Sequence, residues 1–436
     1  MSVKDKSSDF FITQIQQDFD KIRIIDKSIE KSEHKKAIIS YFKAKFERDK
    51  QQATHNTFEF IDLFCGAGGL SLGFEQEGFK PCLALDKDES ALRTYRFNRP
   101  HLKADKVINE DIRHIVEDHV FEFVPLIIGG PPCQGFSNAN KQRKENDDRN
   151  KLYKFFVHSV NQAKPDVFLL ENVEGILAHF DVIEKDFNAV SYSLFSPTVL
   201  NTKDFGYPQN RKRAFIVGVH SKYEGILDEL QNLFIDTIHG EKGKVNFCLW
   251  DAIFDLPEIE AKTAQNRTYY ECKRWGYTYG QFIDMCTPYA KLINNGYVGK
   301  MPVLNHKSKY NNTRDIEIYS RLLPGEKSDA ESIKDINPYK NRAGIFKDKF
   351  YKLLPNEPCK TITAHMYYDC HMYIHPYSAR GLSPREAARV QGFPDDYLFL
   401  GTPNEWYRQI GNAVSPLLAR VLGKGLKNIL KRIYRV

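Results

Sequence analysis

One cysteine stands where a nucleophile would be useful. Cys133 lies in G-G-P-P-C-Q-G-F-S (129–137), just past an apolar run at 124–128. A thiolate attacks carbon well even when only a small fraction is ionised at neutral pH. Most cysteines are small buried hydrophobes. This one follows the stiff pair Pro131–Pro132 and precedes a polar, basic loop at 138–150 that carries Lys141, Arg143 and Lys144. A loop of that length without apolar anchors reads as functional, and it suits a lid closing on a polyanion. A second apolar run, 166–170, ends in Glu171 and Asn172. Glu171 is placed to act as an acid beside the thiol, and Asn172 to hold the loop or the glutamate. Q-N-R-K-R (209–213) adds Arg211 and Arg213. Alternate side chains of an extended segment share a face, so both can face the site, one of them orienting Glu171 or pairing with a substrate oxygen.

A second cluster suits a nucleoside. D-L-F-C-G-A-G-G (62–69) follows one apolar run and opens a helix, and its glycines permit a tight turn and close approach of backbone to a ligand. Asp86 ends the next strand, where a carboxylate can accept from both ribose hydroxyls. Asp111 follows the strand after that and can accept from an adenine amino group. The glycine pattern departs from G-x-G-x-x-G, and no Walker lysine follows. That disfavours a nicotinamide dinucleotide or ATP and favours S-adenosyl-L-methionine.

These residues need a scaffold that brings strand ends together. Strands are predicted at 58–64, 80–86, 124–128, 166–170 and 214–219, with a helix at 70–77 and another that follows the 80–86 strand and runs through Tyr95. Short apolar strands alternating with helices imply a parallel sheet covered on both faces, hence a doubly wound, Rossmann-like α/β domain. That alternation fades over 221–377, which reads as a smaller irregular domain. Ser383-Pro384 marks a helix start, and a helix closes the chain at about 415–432. In the N-terminal 55 residues, Ile25 and Ile29, then Ile38, Phe42 and Phe46, fall at helical spacing. They predict amphipathic helices packed on the main body, with a DNA-contacting arm as the alternative. The expected segments are 1–55, an N-terminal helical extension; 56–220, a catalytic and cofactor-binding domain; 221–378, a recognition domain; and 379–436, completing the catalytic domain.

Composition sets the limits. With 436 residues, 42% hydrophobic and 27% charged, the chain can bury two ordinary cores. A net charge of +7 fits a polyanion partner without requiring one. No run approaches the ~18–20 apolar residues of a membrane span, and residues 1–15 lack the apolar core of a secretory signal. Eight cysteines contain no C-x-x-C pair, so neither a metal knuckle nor a disulfide framework is expected. The expectation is a cytoplasmic monomer without a metal.

Eight motifs then stand in one order: D-L-F-C-G-A-G-G (62–69), A-L-D-K-D (84–88), E-D-I (110–112), G-G-P-P-C-Q-G-F-S (129–137), E-N-V (171–173), Q-N-R-K-R (209–213), R-G-L-S-P-R-E-A-A-R-V-Q-G-F-P (380–394) and Q-I-G-N-A-V (409–414). Over residues 58–436 the chain resembles the DNA (cytosine-5) methyltransferases of bacterial restriction–modification systems. The resemblance implies S-adenosyl-L-methionine as cofactor and double-stranded DNA as partner, with a cognate restriction endonuclease encoded separately. It implies a catalytic set of Cys133, Glu171 and Arg213, supported by Arg211 and Asn172. Cofactor contacts are implied at Phe64, Gly66, Ala67, Gly68, Gly69, Asp86, Lys87, Asp111, Ile112, Pro132, Leu152, Asn412 and Ala413. DNA contacts are expected at Gln134, Ser137, Lys141, Arg143 and Lys144 of the loop, and at Thr361 and Ile362 near the end of the recognition domain. Asp86 stands where many members of the family carry glutamate. Three other readings compete: a tRNA methyltransferase of the same family, a catalytically inactive DNA-binding relative, and a nicotinamide-dependent oxidoreductase.

Overall fold

The computed structural model describes residues 6–26, 29–54, 57–118, 121–132, 152–265, 269–339 and 349–436. They fall into two compact units, neither of them contiguous in sequence. A sheet unit comprises Asp49–Gly206, Arg211–Val245 and Ala413–Val436; a ribbon unit comprises Met1–Arg48, Tyr207–Asn210 and Asn246–Asn412. Among the described residues no helix is long and apolar enough to cross a membrane.

The sheet unit has strands β1 (Phe58–Leu63), β2 (Phe79–Asp86), β3 (Val107–Asn109), β4 (Leu126–Gly129), β5 (Val167–Asn172), β6 (Tyr192–Leu194), β7 (Thr198–Asn201) and β8 (Lys212–His220). They lie in the order β3-β2-β1-β4-β5-β8-β6, with β7 also pairing β8. The chain builds β1 to β3 toward one edge, then returns to add β4 and β5 on the other side of β1. That reversal creates a switch point between β1 and β4, where the loops leaving two strand ends diverge and a ligand can lie. Leu126 to Ile128 and Val167 to Leu170 are wholly buried, as parallel strands covered on both faces must be. One core joins Ile61, Leu63, Ile127, Phe168, Leu170 and Ile216 to Phe156 and Val160 of helix Leu152–Ala163. Elsewhere in the unit, helix Pro416–Tyr434 lies so close to helix Gly69–Gln76 that a Cβ on Gly73 would fall 2.4 Å from the Arg420 nitrogen.

The parallel sheet expected from the sequence carries one antiparallel edge. β1 to β5 are parallel, but β8 runs antiparallel to β5, β6 and β7. The chain returns from β7 to β8 through a short connection, which an antiparallel pair permits and a parallel pair does not. The two compact units divide the chain differently from the expected segments. Residues 379–412 belong to the ribbon unit, and helix Leu227–His239 belongs to the sheet unit. The reason is buried charge. Arg385 donates to the carbonyls of Leu304, Pro394 and Tyr397, and Arg389 pairs with Asp255 and Asp395. An unpaired guanidinium at those depths would be strongly destabilising, so helix Pro384–Gln391 stays with the segments that satisfy it.

The N-terminal helices run Lys6–Lys21 and Lys31–Ala53. Ile38, Phe42 and Phe46 are buried on one face, as their spacing predicts. Ile25 is not on a helix: it follows the short strand Arg23–Ile24 and is exposed. A helix face there would need residues 22–30 to be helical, and the backbone instead pairs with Tyr270–Glu271.

Candidate active site

The glycine loop leaves β1 under strain. Phe64 (φ +60°), Gly66 (φ +51°) and Gly68 (φ +83°) are all left-handed. For phenylalanine that conformation costs on the order of 1 kcal/mol or more. The loop is pinned from both sides. Arg99, buried, donates to the Gly68 carbonyl at 3.0 Å, pairs with Glu75 at 2.7 Å and lies over the Tyr95 ring. Below it Asp62 accepts from Ser71 at 2.5 Å, and Ser71 meets the Tyr95 hydroxyl at 2.9 Å. Burial pushes the Asp62 carboxyl up to about 7, against the pull of that hydrogen bond. Sequence reading missed Arg99, Asp62 and Ser71 in this role; the signal was polar residues in otherwise apolar, helix-facing positions.

Asp86 lies across from the loop. Its Oδ2 accepts from the Gly66 nitrogen at 2.8 Å and its Oδ1 from the Asp88 nitrogen at 2.8 Å. Burial raises its pKa, with the backbone N–H groups of Asp88, Gly66 and Lys87 opposing. A carboxylate has about four acceptor sites, so the two oxygens together keep capacity for a further donor. A Cβ on Gly66 would meet no heavy atom within 4 Å, so the loop has an open side. Paired acceptors beside an open glycine turn fit the diol of a nucleoside. Asp111 is engaged differently from its expected role: Arg113 donates to both of its oxygens, at 2.9 and 2.8 Å. That clamp holds the carboxyl down at about 2, and an incoming amino group would share its Oδ2. Lys87 is exposed, its Nζ 3.9 Å from Asp111 Oδ2. Gly69 and Leu152 each open a helix, and Ala67, Ile112 and Leu152 are buried, the last two in the main core.

The second loop of the switch point leaves β4 as Gly130-Pro131-Pro132. Asn172, at the end of β5, donates from its side-chain amide to the Pro131 carbonyl at 3.1 Å. Of the two roles open to it, it therefore takes the loop. Arg213 in β8 reaches Glu171 in β5, Nε to Oε1, at 3.0 Å. The two side chains meet because β5 and β8 pair with Phe215 opposite Glu171. The other carboxyl oxygen faces the loop: a Cβ on Gly130 would fall 2.8 Å from Glu171 Oε2. Glycine at 130 thus leaves room for a carboxyl group that Arg213 holds in place. Arg211 does not share that contact; it is buried and donates to the Ala413 carbonyl at 2.8 Å.

The structure gathers Glu171, Asn172, Arg213, Pro131 and Pro132 at one set of strand ends, and Phe64, Gly66, Gly68 and Asp86 at the neighbouring set. Cys133, Gln134, Ser137, Lys141, Arg143 and Lys144 lie outside the described residues. Asn412 closes helix Pro403–Asn412 in the ribbon unit. Thr361 donates to the Asn210 carbonyl at 2.7 Å, and the Ile362 nitrogen donates to Gln209 at 3.0 Å, both within the ribbon unit. The Ile362 side chain is wholly buried, and its neighbour Thr361 is half-buried.

Comparisons with known proteins agree with one another. The family model described as C-5 cytosine-specific DNA methylase matches residues 58–428. The chain is 34% identical over 390 residues to the type II methyltransferase M.DdeI of Desulfomicrobium norvegicum, covering 84% of this chain and 87% of that one. It is 31% identical over 430 residues to M.AgeI of Thalassovita gelatinovora, covering 84% and 98%. Among solved structures, a prophage-encoded E. coli chain assigned as a DNA modification methyltransferase superposes with a TM-score of 0.60 at 29% identity, covering 86% of this chain and all of that one.

Proposed function

Because this chain belongs to the C-5 cytosine-specific DNA methylase family, we propose that it methylates carbon 5 of a cytosine in duplex DNA through a covalent adduct with Cys133, as the modification half of a type II restriction–modification system. The observation that carries the reading is the Glu171–Arg213 pair over Gly130, three residues before Cys133 in the chain.

Carbon 5 of cytosine is a poor nucleophile while the ring is aromatic. The Cys133 thiolate adds to carbon 6 and Glu171 gives a proton to ring nitrogen 3, leaving carbon 5 enamine-like. Arg213 holds Glu171 in register for that transfer, and Asn172 fixes the Pro131 carbonyl and with it the start of the loop that carries Cys133. S-adenosyl-L-methionine, when bound, supplies an electrophilic methyl group. Phe64, Gly66 and Asp86 would hold it, with Asp86 accepting from the ribose hydroxyls. Once carbon 5 is methylated, solvent takes the carbon 5 proton as the Cys133 thiolate leaves, and ring nitrogen 3 returns its proton to Glu171, which restores the ring and the acid together. Carbons 5 and 6 cannot be reached within the base stack, so the cytosine is flipped out, at a cost of about a few kcal/mol recovered in the pocket. The basic loop residues and Thr361 contact the DNA.

Duplex DNA of mixed sequence carrying 5-fluorocytosine tests this directly. Fluorine cannot leave carbon 5 as a proton does, so with labelled S-adenosylmethionine a labelled protein–DNA band should survive a denaturing gel. It should vanish in Cys133→Ala, which should still bind DNA. A band that persists in Cys133→Ala would overturn the covalent role of that residue.

A further inference from the structure

Residues 6–48 lie outside the segment matched by the family model, yet they are built into the ribbon unit. Their contacts converge on one irregularity. The antiparallel ribbon Gly276–Asp284/Lys300–Lys307 pairs Tyr279 with Leu304 and Phe282 with Pro302. Three steps on one strand thus oppose two on the other, which is a bulge with one extra residue. Gly280 permits it, since a Cβ there would fall 2.5 Å from the Val303 carbonyl. From 279 to 283, Gln281 alone is exposed.

Both flanks of the bulge are held by the N-terminal helices. Phe19 stacks on Tyr279 at 4.7 Å with 20° between the rings, both buried. His34 donates from Nε2 to the Tyr279 carbonyl at 2.7 Å. Tyr41 meets the Phe282 ring edge-on at 5.9 Å, and its hydroxyl reaches Asp396 at 3.3 Å. A two-stranded ribbon is marginal without such packing, and bulges serve to re-aim a side chain.

We infer that the N-terminal helices brace this bulge so that Gln281 meets a base edge of the DNA target, with Phe19, His34 and Tyr41 as positioning residues. A two-stranded ribbon fits the major groove, and a glutamine amide can donate to and accept from one base edge there. The inference rests on the DNA reading above and deepens it by naming a residue that sets sequence preference.

Full-length variants would each methylate one plasmid of mixed sequence, with 5-methylcytosines read base by base. kcat and KM would then be measured on a duplex carrying the wild-type site. Gln281→Ala should relax one position of the site and raise KM for DNA roughly 5- to 100-fold, with kcat nearly unchanged. His34→Leu should shift KM the same way and His34→Gln, which keeps a donor near the Nε2 position, should restore it. The double variant should be no worse than Gln281→Ala alone. An unchanged site and KM in Gln281→Ala overturns the inference. So does a His34→Leu variant that loses kcat or folding without altering site preference. If wild type leaves no 5-methylcytosine in DNA, the functional reading itself falls and takes this inference with it.

Discussion

At the scale of single residues, the site is organised around what glycine leaves out. Gly130→Ala would place a methyl where Glu171 Oε2 now lies, 2.8 Å away. Arg213 grips the other oxygen, so the carboxyl can turn aside only by loosening that pair. We predict that Gly130→Ala lowers kcat at least tenfold with little change in melting temperature, since the displaced atom is the end of a side chain and not core. Misplacing a catalytic group by about 1 Å costs on the order of 100-fold. A kcat within twofold of wild type would mean that the carboxyl position is not critical. The neighbouring cluster gives a second test. Asp86→Ala removes the acceptor of the Gly66 nitrogen and both ribose contacts proposed for it. By calorimetry, S-adenosylmethionine affinity should fall by about 10- to 100-fold, as expected for losing charge-assisted hydrogen bonds, while DNA affinity holds. Equal loss of both would indicate a damaged fold. Most of these residues were legible because each stands at the end of an apolar run, where side chains must meet at the sheet's edge. Arg113 on Asp111 and Arg99 under the glycine loop were not, because exposed and buried arginines look alike in sequence.

At the scale of elements, period and capping carried the reading where a segment makes its own structure. The N-cap at Ser383 is real: its hydroxyl accepts from the Glu386 nitrogen, and the Ser383 nitrogen donates to the Glu386 carboxylate. β1, β2, β4, β5 and β8 were readable because five or more apolar or alternating residues announce a strand. β6 and β7 escaped notice, at three and four residues; such short strands exist only because β8 offers a partner. The ribbon unit was the least readable, since its core is assembled from distant segments and its buried residues include many arginines and histidines. Helix packing gives a test at this scale. Gly73 lets helix Gly69–Gln76 touch helix Pro416–Tyr434, and a Cβ would press on Arg420 and Pro416 backbone atoms at 2.4 and 2.5 Å. Backbone cannot swing away as a side chain does. Gly73→Ala should therefore destabilise the sheet unit by about 1–3 kcal/mol, read as a lower urea midpoint. No change would mean that the helices slide apart freely.

At the scale of the whole molecule, the chain passes between its two units five times, so neither is a contiguous stretch that could simply be excised. What unites the ribbon unit's segments is a buried network whose protonation can be read. His306 lies between the Pro257 carbonyl at 2.7 Å and the Ser383 hydroxyl at 2.8 Å. The Pro257 carbonyl can only accept, so Nε2 carries the ring proton, and Nδ1 of the neutral ring accepts from the Ser383 hydroxyl. His375 uses Nδ1 to accept from the Tyr377 and Ser378 nitrogens. Both rings are therefore neutral when folded, and burial pushes each down to about 4. In the unfolded chain they protonate near 6.5. Folded values below unfolded ones mean stability that is complete above pH 6.5 and lost as pH falls toward 4. The loss should be about 1 kcal/mol per histidine at pH 5.5 and on the order of 2–3 kcal/mol each at pH 4.5. Glu386, which burial alone would push up, is instead held well below the usual range by Arg380. Its contribution fades only below about pH 4.3, after the histidine step has begun. All three tryptophans, Trp250, Trp275 and Trp406, belong to this unit, so tryptophan fluorescence follows it selectively. Urea midpoints by that signal should decline steadily from pH 7 to 5, and His306→Gln should remove about half of the slope. A midpoint flat across that range would show that these imidazoles take up protons without unfolding the network, and the neutral, acceptor role assigned to them would be wrong.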